Sequence, residues 1–237
     1  MISSQMILKA STQHEFLSLS QQTPTFIHDS SLSQFSITLL NKPETPELWL
    51  NFENLFVACL VTGDDLSALD CLNRISTRFG SANERVIGLQ ALYDEALAKT
   101  EEDLKKILEN YNTLLKDNSV NVSILKRRAA LLRSISRPAD AIEALVRFLD
   151  AFPTDAEAWC ELSDLYQGQG MTSQAVFCLE EAIIISPNAW NLHARIGELL
   201  YVSTLLAPTD TDIKVLDECV KRFSRSIELC DGAFLVF

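Results

Sequence analysis

The chain has 237 residues, 47% of them hydrophobic, with 32 acidic and 20 basic side chains and a net charge of −12. That balance excludes nucleic-acid binding through a general basic field, and no run approaches the roughly 18 apolar residues that a membrane span needs. The opening MISSQMILKASTQHEF lacks a basic stretch followed by an apolar core and a small-residue cleavage site, so it does not read as a signal peptide and a cytoplasmic placement is expected.

Residues 1–46 are polar and rich in Ser, Thr and Gln, with Pro24, Pro43 and Pro46. Two short helical stretches are predicted there, roughly 12–20 and 31–41, the first of them loosely packed. Asn41 to Pro46 reads as a linker, because the residue before a proline disfavours helix.

From 47 to 237 the pattern repeats. The first unit, 49–80, carries Phe52, Leu55, Cys59, Ala68, Leu72 and Ile75 at helical spacing. The second, 83–120, has Val86, Leu89 and Tyr93 in one helix and Ile107, Tyr111 and Leu114 in the next. About five extra residues, near Lys99 to Asp103, are expected to lengthen the turn between them. The third, 122–155, has Leu125, Ala129, Leu132, Ala141, Leu145, Phe148 and Pro153, with Arg128 off pattern.

The fourth unit, 156–189, is the most regular. Trp159, Leu162, Ser163, Tyr166, Ala175, Leu179, Ala182 and Pro187 reproduce the tetratricopeptide spacing W-x2-L-G-x2-Y, A-x3-F and a closing Pro. Small residues at the crossing let two antiparallel helices approach, large ones fill the gaps around it, and Pro187 ends the second helix. The fifth unit, 190–232, has Ile196, Gly197, Leu200, Cys219, Phe223 and Ser226, with an insertion of about ten residues, LAPTDTDIKV, between its helices. Residues 233–237 look like the start of a further first helix. A helix pair of this kind cannot bury its apolar face alone. The expected fold is therefore all-α: a right-handed tetratricopeptide-repeat superhelix, or α-solenoid, of about five helix pairs.

Catalytic motifs are missing: there is no Gly-rich phosphate loop, no G-x-S-x-G and no HExxH. Gly168 and Gly170 fit a helix C-cap and turn. No enzyme activity, catalytic residue, cofactor or small-molecule substrate is expected. The six cysteines (Cys59, Cys71, Cys160, Cys178, Cys219 and Cys230) never reach CxxC spacing and read as small apolar residues. His14, His28 and His193 have no partners at metal-ligand spacing, so no metal site is expected. Asn121-Val122-Ser123 matches a glycosylation sequon that a cytosolic chain would not use.

The charges point to a protein partner. Lys126, Arg127, Arg128, Arg133 and Arg137 cluster in the third unit, and Glu157, Glu161 and Asp164 follow in the fourth. In tetratricopeptide arrays the first helices line the concave face. By that geometry Glu84, Ala91 and Asp94, then Lys126 and Arg133, then Glu157, Cys160, Asp164 and Gln167 face a partner groove. Changes of sign along such a groove suit a peptide or helix better than a small molecule. The alternative is a solvated face with cross-repeat ion pairs worth under about 1 kcal/mol each.

Beyond the general repeat, ELW at 47–49, GDDLSALDCLNRISTRFG at 63–80, DAEAWCELSDLY at 155–166 and SQAVFCLEEAIIISPN at 173–188 resemble the family of subunit 2 of the endoplasmic-reticulum membrane protein complex. The likeness covers about 47–232. It implies a non-enzymatic scaffold on the cytosolic side of the endoplasmic reticulum, peripherally held through partner subunits. Such a scaffold cradles cytosolic segments of membrane subunits, notably the third and fifth, in a complex that inserts tail-anchored and multipass proteins. Members usually continue beyond the position where this chain stops. Two other readings fit the repeat: a co-chaperone docking an acidic heat-shock-protein tail, and an auxiliary subunit of a modifying enzyme such as an N-terminal acetyltransferase. For the first, Lys126 is suitably placed, but Ala130 stands where a clamp asparagine is needed, and Glu157 and Glu161 stand where positive charge is needed.

Overall fold

The computed structural model describes residues 13–35, 45–206 and 212–230, and among these every regular element is an α-helix. In chain order they are α1 (Gln13–Phe35), α2 (Pro46–Thr62), α3 (Asp65–Phe79), α4 (Glu84–Leu97), α5 (Glu101–Asp117), α6 (Val122–Ser134), α7 (Pro138–Ala151), α8 (Ala156–Gly168), α9 (Thr172–Ile185), α10 (Trp190–Leu206) and α11 (Asp212–Leu229). From α2 onward the helices alternate as first and second members of pairs. The chain divides into two compact units, Met1–Arg127 and Arg128–Phe237.

Local chemistry sets the helix ends. Thr45, Asp64, Asn83, Thr100 and Asp155 each accept a hydrogen bond from a backbone N–H in the first turn of the helix that follows. Asn121 does the same for Ile124 N–H at 3.1 Å and is only 3% exposed, so the sequon asparagine is a buried cap. Three of the turns inside pairs use one left-handed residue, two positions before the second helix begins. They are Gly63 (φ 76°), Ser136 (φ 60°) and Gly170 (φ 72°). Glycine adopts that conformation freely, and Ser136 does so against the repulsion between its Cβ and the backbone.

In the first unit the core is built by α2 and α3, with Phe52, Leu55, Phe56, Cys59, Ala68, Cys71, Leu72 and Ile75 all at most 2% exposed. Helix α1 covers it, which differs from the two short, loosely packed helices predicted for this region. One helix runs through Pro24 as far as Phe35. The rest of the 31–41 stretch, the linker residues up to 44, and the segment 233–237 lie outside the described residues. Phe16, Leu19, Phe26 and Ile27 pack on α2 and α3, and buried Thr23 accepts a hydrogen bond from the Cys59 thiol at 3.4 Å. Burial of that stripe offsets the one backbone bond that Pro24 forgoes.

Two insertions also fall differently from expectation. Only Ala98–Thr100 separate α4 from α5, and the extra residues extend α5 to 17 residues. Of the LAPTDTDIKV segment, Leu206 belongs to α10 and 212–215 to the first turn of α11, with 207–211 outside the described residues. Amphipathic sequence continues a helix wherever a neighbour can bury one face.

In the second unit, α9 and α10 share a core of Ala175, Leu179, Ala182, Leu192, Ile196 and Leu199, with Trp159 and Tyr166 packed on it. Ser163 donates across the α8–α9 pair to the Ala175 carbonyl at 2.9 Å, an approach that only small residues allow. Gly197 plays the same role between α10 and α11: a Cβ there would lie 3.1 Å from the Phe223 ring.

Candidate protein-docking face

The residues singled out in the sequence fall on the first helices, and their surroundings differ. In the first unit, Glu84 is exposed and accepts a hydrogen bond from the Asn118 amide at 2.7 Å. Asp94 accepts from Gln90 on its own helix at 2.8 Å. Ala91 is 4% exposed and is packed into the α4–α5 pair, so it presents no side chain to a partner. Its carbonyl lies 3.1 Å from the Tyr111 hydroxyl, because α5 supplies a large tyrosine where other pairs supply a small residue. Lys126 is half-buried on α6 and already engaged.

The charge that matters in this unit is Glu95, one position past the residue expected. Its carboxylate pairs with Arg127 on α6 through two hydrogen bonds and accepts the Tyr111 hydroxyl proton at 2.6 Å. Burial alone would lower the Arg127 guanidinium; its bonds to Glu95 outweigh that and hold it above its usual range. Burial first, and then the bond to Glu95, push the Tyr111 phenol well above its ordinary range. Glu53 on α2 and Arg85 on α4 form a similar forked pair at the surface.

In the second unit, Arg133 on α6 reaches Glu161 on α8 at 3.9 Å, and its side chain remains 50% exposed. Gln167 and Asp164 on α8 both accept from Arg195 on α10, Asp164 at 3.5 Å. Glu157 is exposed and engaged, while Cys160 is half-buried. Burial, then the nearby Asp164 and Glu157 carboxylates, push the Cys160 thiol up, so it stays protonated and a poor nucleophile near neutral pH.

These contacts share a register. Arg127, Glu161 and Arg195 are spaced by 34 residues, and each reaches back to the preceding first helix, to Glu95, Arg133 and Gln167 respectively. Residues expected to meet a partner are thus partly committed to holding neighbouring repeats. Periodicity of apolar residues does not reveal this; pairing the charges 28 to 34 positions apart would have. The repeat-packing set stands as follows. Leu162, Ala175, Leu179 and Ala182 are at most 3% exposed. Trp159 and Tyr166 are half-buried, and Pro187 follows the end of α9. The Trp159 indole donates to the Pro153 carbonyl at 2.9 Å, and 34 residues later the His193 ring meets the Pro187 carbonyl at 3.1 Å.

Among the described residues no group of His, Cys, Asp or Glu is gathered as a metal site, and no helix is long and apolar enough to cross a membrane.

Helices paired through small residues, capped turn by turn and linked first helix to first helix define an all-α array of the tetratricopeptide class. Residues 78–207, more than half of the chain, match the model of the EMC2 TPR-like repeat domain. The chain belongs to that family. It is 34% identical to the TPR repeat protein oca3 of Schizosaccharomyces pombe over 79% of this chain and 63% of that protein. It is 29% identical to ER membrane protein complex subunit 2-B of Xenopus laevis, covering 80% of this chain and 62% of the relative. The corresponding subunit of Saccharomyces cerevisiae is 26% identical, with 76% and 63% covered. The chain therefore spans less than two thirds of the length of these relatives. Among solved structures, MamA shares the fold, with a TM-score of 0.54 at 16% identity over 77% of this chain and 97% of MamA.

Proposed function

We propose that this chain is a non-enzymatic scaffold subunit of the endoplasmic-reticulum membrane protein complex. It associates peripherally with the cytosolic side of the membrane and holds cytosolic segments of the complex's membrane subunits. In that role it supports insertion of tail-anchored and multipass proteins and performs no chemistry itself. The observation that carries the reading is the family match over residues 78–207, together with relatives named as subunit 2 of that complex. The first helices support it physically. They carry side chains of both signs on elements stiffened by packing and by cross-repeat ion pairs, and such a surface can order a partner segment without deforming.

Affinity purification of the tagged chain from gently solubilised membranes tests the reading. Stoichiometric recovery of endoplasmic-reticulum membrane subunits is the expected result. A catch made only of soluble chaperones, or of a transferase, would sink the assignment and leave the fold intact. Reversing charge at Lys126 and Arg133 together is expected to weaken that recovery without unfolding the chain. Undiminished recovery would remove those two residues from the docking face.

A further inference from the structure

The last turn of each first helix in the second unit changes character from one repeat to the next. At the same two repeat positions, 34 residues apart, the chain places Arg133 and Ser134 on α6, Gln167 and Gly168 on α8, and Tyr201 and Val202 on α10. Arg133 keeps half its side chain in solvent despite its contact with Glu161. Tyr201 is 48% and Val202 37% exposed, so the aromatic end is open as well. The Arg133–Glu161 and Arg195–Gln167 contacts fix the order: α6 beside α8, α8 beside α10. This line therefore runs from basic, through polar, to apolar.

We infer that this line reads a protein segment with two anchors, an acidic residue for Arg133 and an aromatic or large aliphatic residue for Tyr201 and Val202. The inference rests on the scaffold reading above and names the chemistry of the segment that this unit would hold. Neighbouring packed helices lie about 8–10 Å apart, so two steps span about 16–20 Å. An extended segment advances about 3.3 Å per residue, which puts the anchors about five or six residues apart. Charge complementarity selects the acid at one end, and the ring of Tyr201 offers an apolar platform with little side-chain entropy to lose at the other. The polar middle, Gln167 and Gly168, sets no strong preference. Its glutamine is occupied by Arg195, and its glycine leaves room for the passing backbone.

Selection of a random 12-residue peptide library on the purified full chain tests the inference. The expected result is enrichment of sequences with Asp or Glu five or six residues from Phe, Tyr, Trp or Leu, in either chain direction. Selection on Arg133→Glu should replace the acid by Lys or Arg, and selection on Tyr201→Ser with Val202→Ser should lose the apolar anchor. A synthetic two-anchor peptide should bind at least tenfold more tightly than either single-anchor version. Circular dichroism of both variants establishes that they are folded. No enrichment, or an enriched motif indifferent to these substitutions, overturns the inference. If membrane subunits still co-purify in that case, the scaffold reading stands; if they do not, both fall.

Discussion

The pairs α8–α9 and α4–α5 solve the same packing problem in opposite ways. In α8–α9 the small residues Ser163, Ala175 and Ala182 sit at the crossing, and the Ser163 hydroxyl on the first helix reaches the Ala175 carbonyl on the second. In α4–α5 the bond runs the other way: fully buried Tyr111 on the second helix reaches Ala91 and Glu95 on the first. Only Leu108 and Tyr111 are buried on α5, against Ala175, Cys178, Leu179 and Ala182 on α9. One pair gains stability from many close contacts. The other concentrates it in one tyrosine and the charge pair beside it. A repeat can lose its small-residue signature and keep its architecture when a large polar-tipped side chain spans the wider gap.

The contrast predicts unequal sensitivity. Tyr111→Ala should have the largest effect, about 3–5 kcal/mol, because it opens a cavity and leaves the Glu95–Arg127 pair without its third member. Tyr111→Phe should cost about 1–2 kcal/mol, the price of one buried hydrogen bond. Denaturant titration of both variants separates volume from hydrogen bonding, and equal losses would contradict the bridging role.

Trp159→Ala comes next, at about 3 kcal/mol, the low end of the range for a large aromatic. The side chain is half-buried, so less surface is at stake than for a fully enclosed ring, but its bond to the Pro153 carbonyl is lost as well. An unchanged thermal melt would contradict its packing role.

Gly88→Ala probes a close approach between first helices. A Cβ there would lie 2.8 Å from the Ser123 Cβ, a clash with no flexible side-chain end to yield. A loss of about 1–3 kcal/mol is expected, relieved in part by Ser123→Gly in the same chain. Absence of that relief would place the strain elsewhere.

Alkaline titration should single out the α2–α3 core. Burial first, then the neighbouring Cys59 and Asp70, push the Cys71 thiol up to about 12. The thiol stays protonated in the fold and ionises near 9 when unfolded. Its contribution is therefore complete below about pH 9 and is lost as pH rises towards 12, a change on the order of a few kcal/mol. A Cys71→Ala chain should show a shallower alkaline limb, measured by denaturant midpoints between pH 8 and 11. An identical limb would assign the alkaline loss to other groups.

The smallest effect is a gain. Ser136 holds the left-handed position that Gly63 and Gly170 hold in two other turns. Ser136→Gly should stabilise the chain by about 0.5–1 kcal/mol, the backbone relief exceeding the added unfolded-state freedom. A loss of stability would mean that the serine side chain serves that turn in another way.

Much of this architecture is readable in the sequence, for a physical reason. Small and large residues at fixed spacing are the direct imprint of close helix crossing, so the window 156–189 announces its fold. The rest is less legible where packing does not depend on that imprint. Helix α1 contains a proline and much Ser and Thr, and it becomes one helix because α2 and α3 offer a face to cover. The α4–α5 pair hides its register because Tyr111 replaces small residues; that is why Asp94 was expected where Glu95 carries the contact. The links Arg133–Glu161 and Arg195–Gln167 join residues whose apolar periodicity is silent, so a reading based on faces alone assigned their charges to a partner.

Placing a photo-activatable phenylalanine analogue at position 201 of the tagged chain, in intact membranes, tests the scaffold account most directly. The account predicts crosslinks to cytosolic segments of membrane subunits of the complex from position 201, and none from a control at Phe177 on the second helix α9. Crosslinks confined to soluble proteins, or the same membrane partners from both positions, would contradict it.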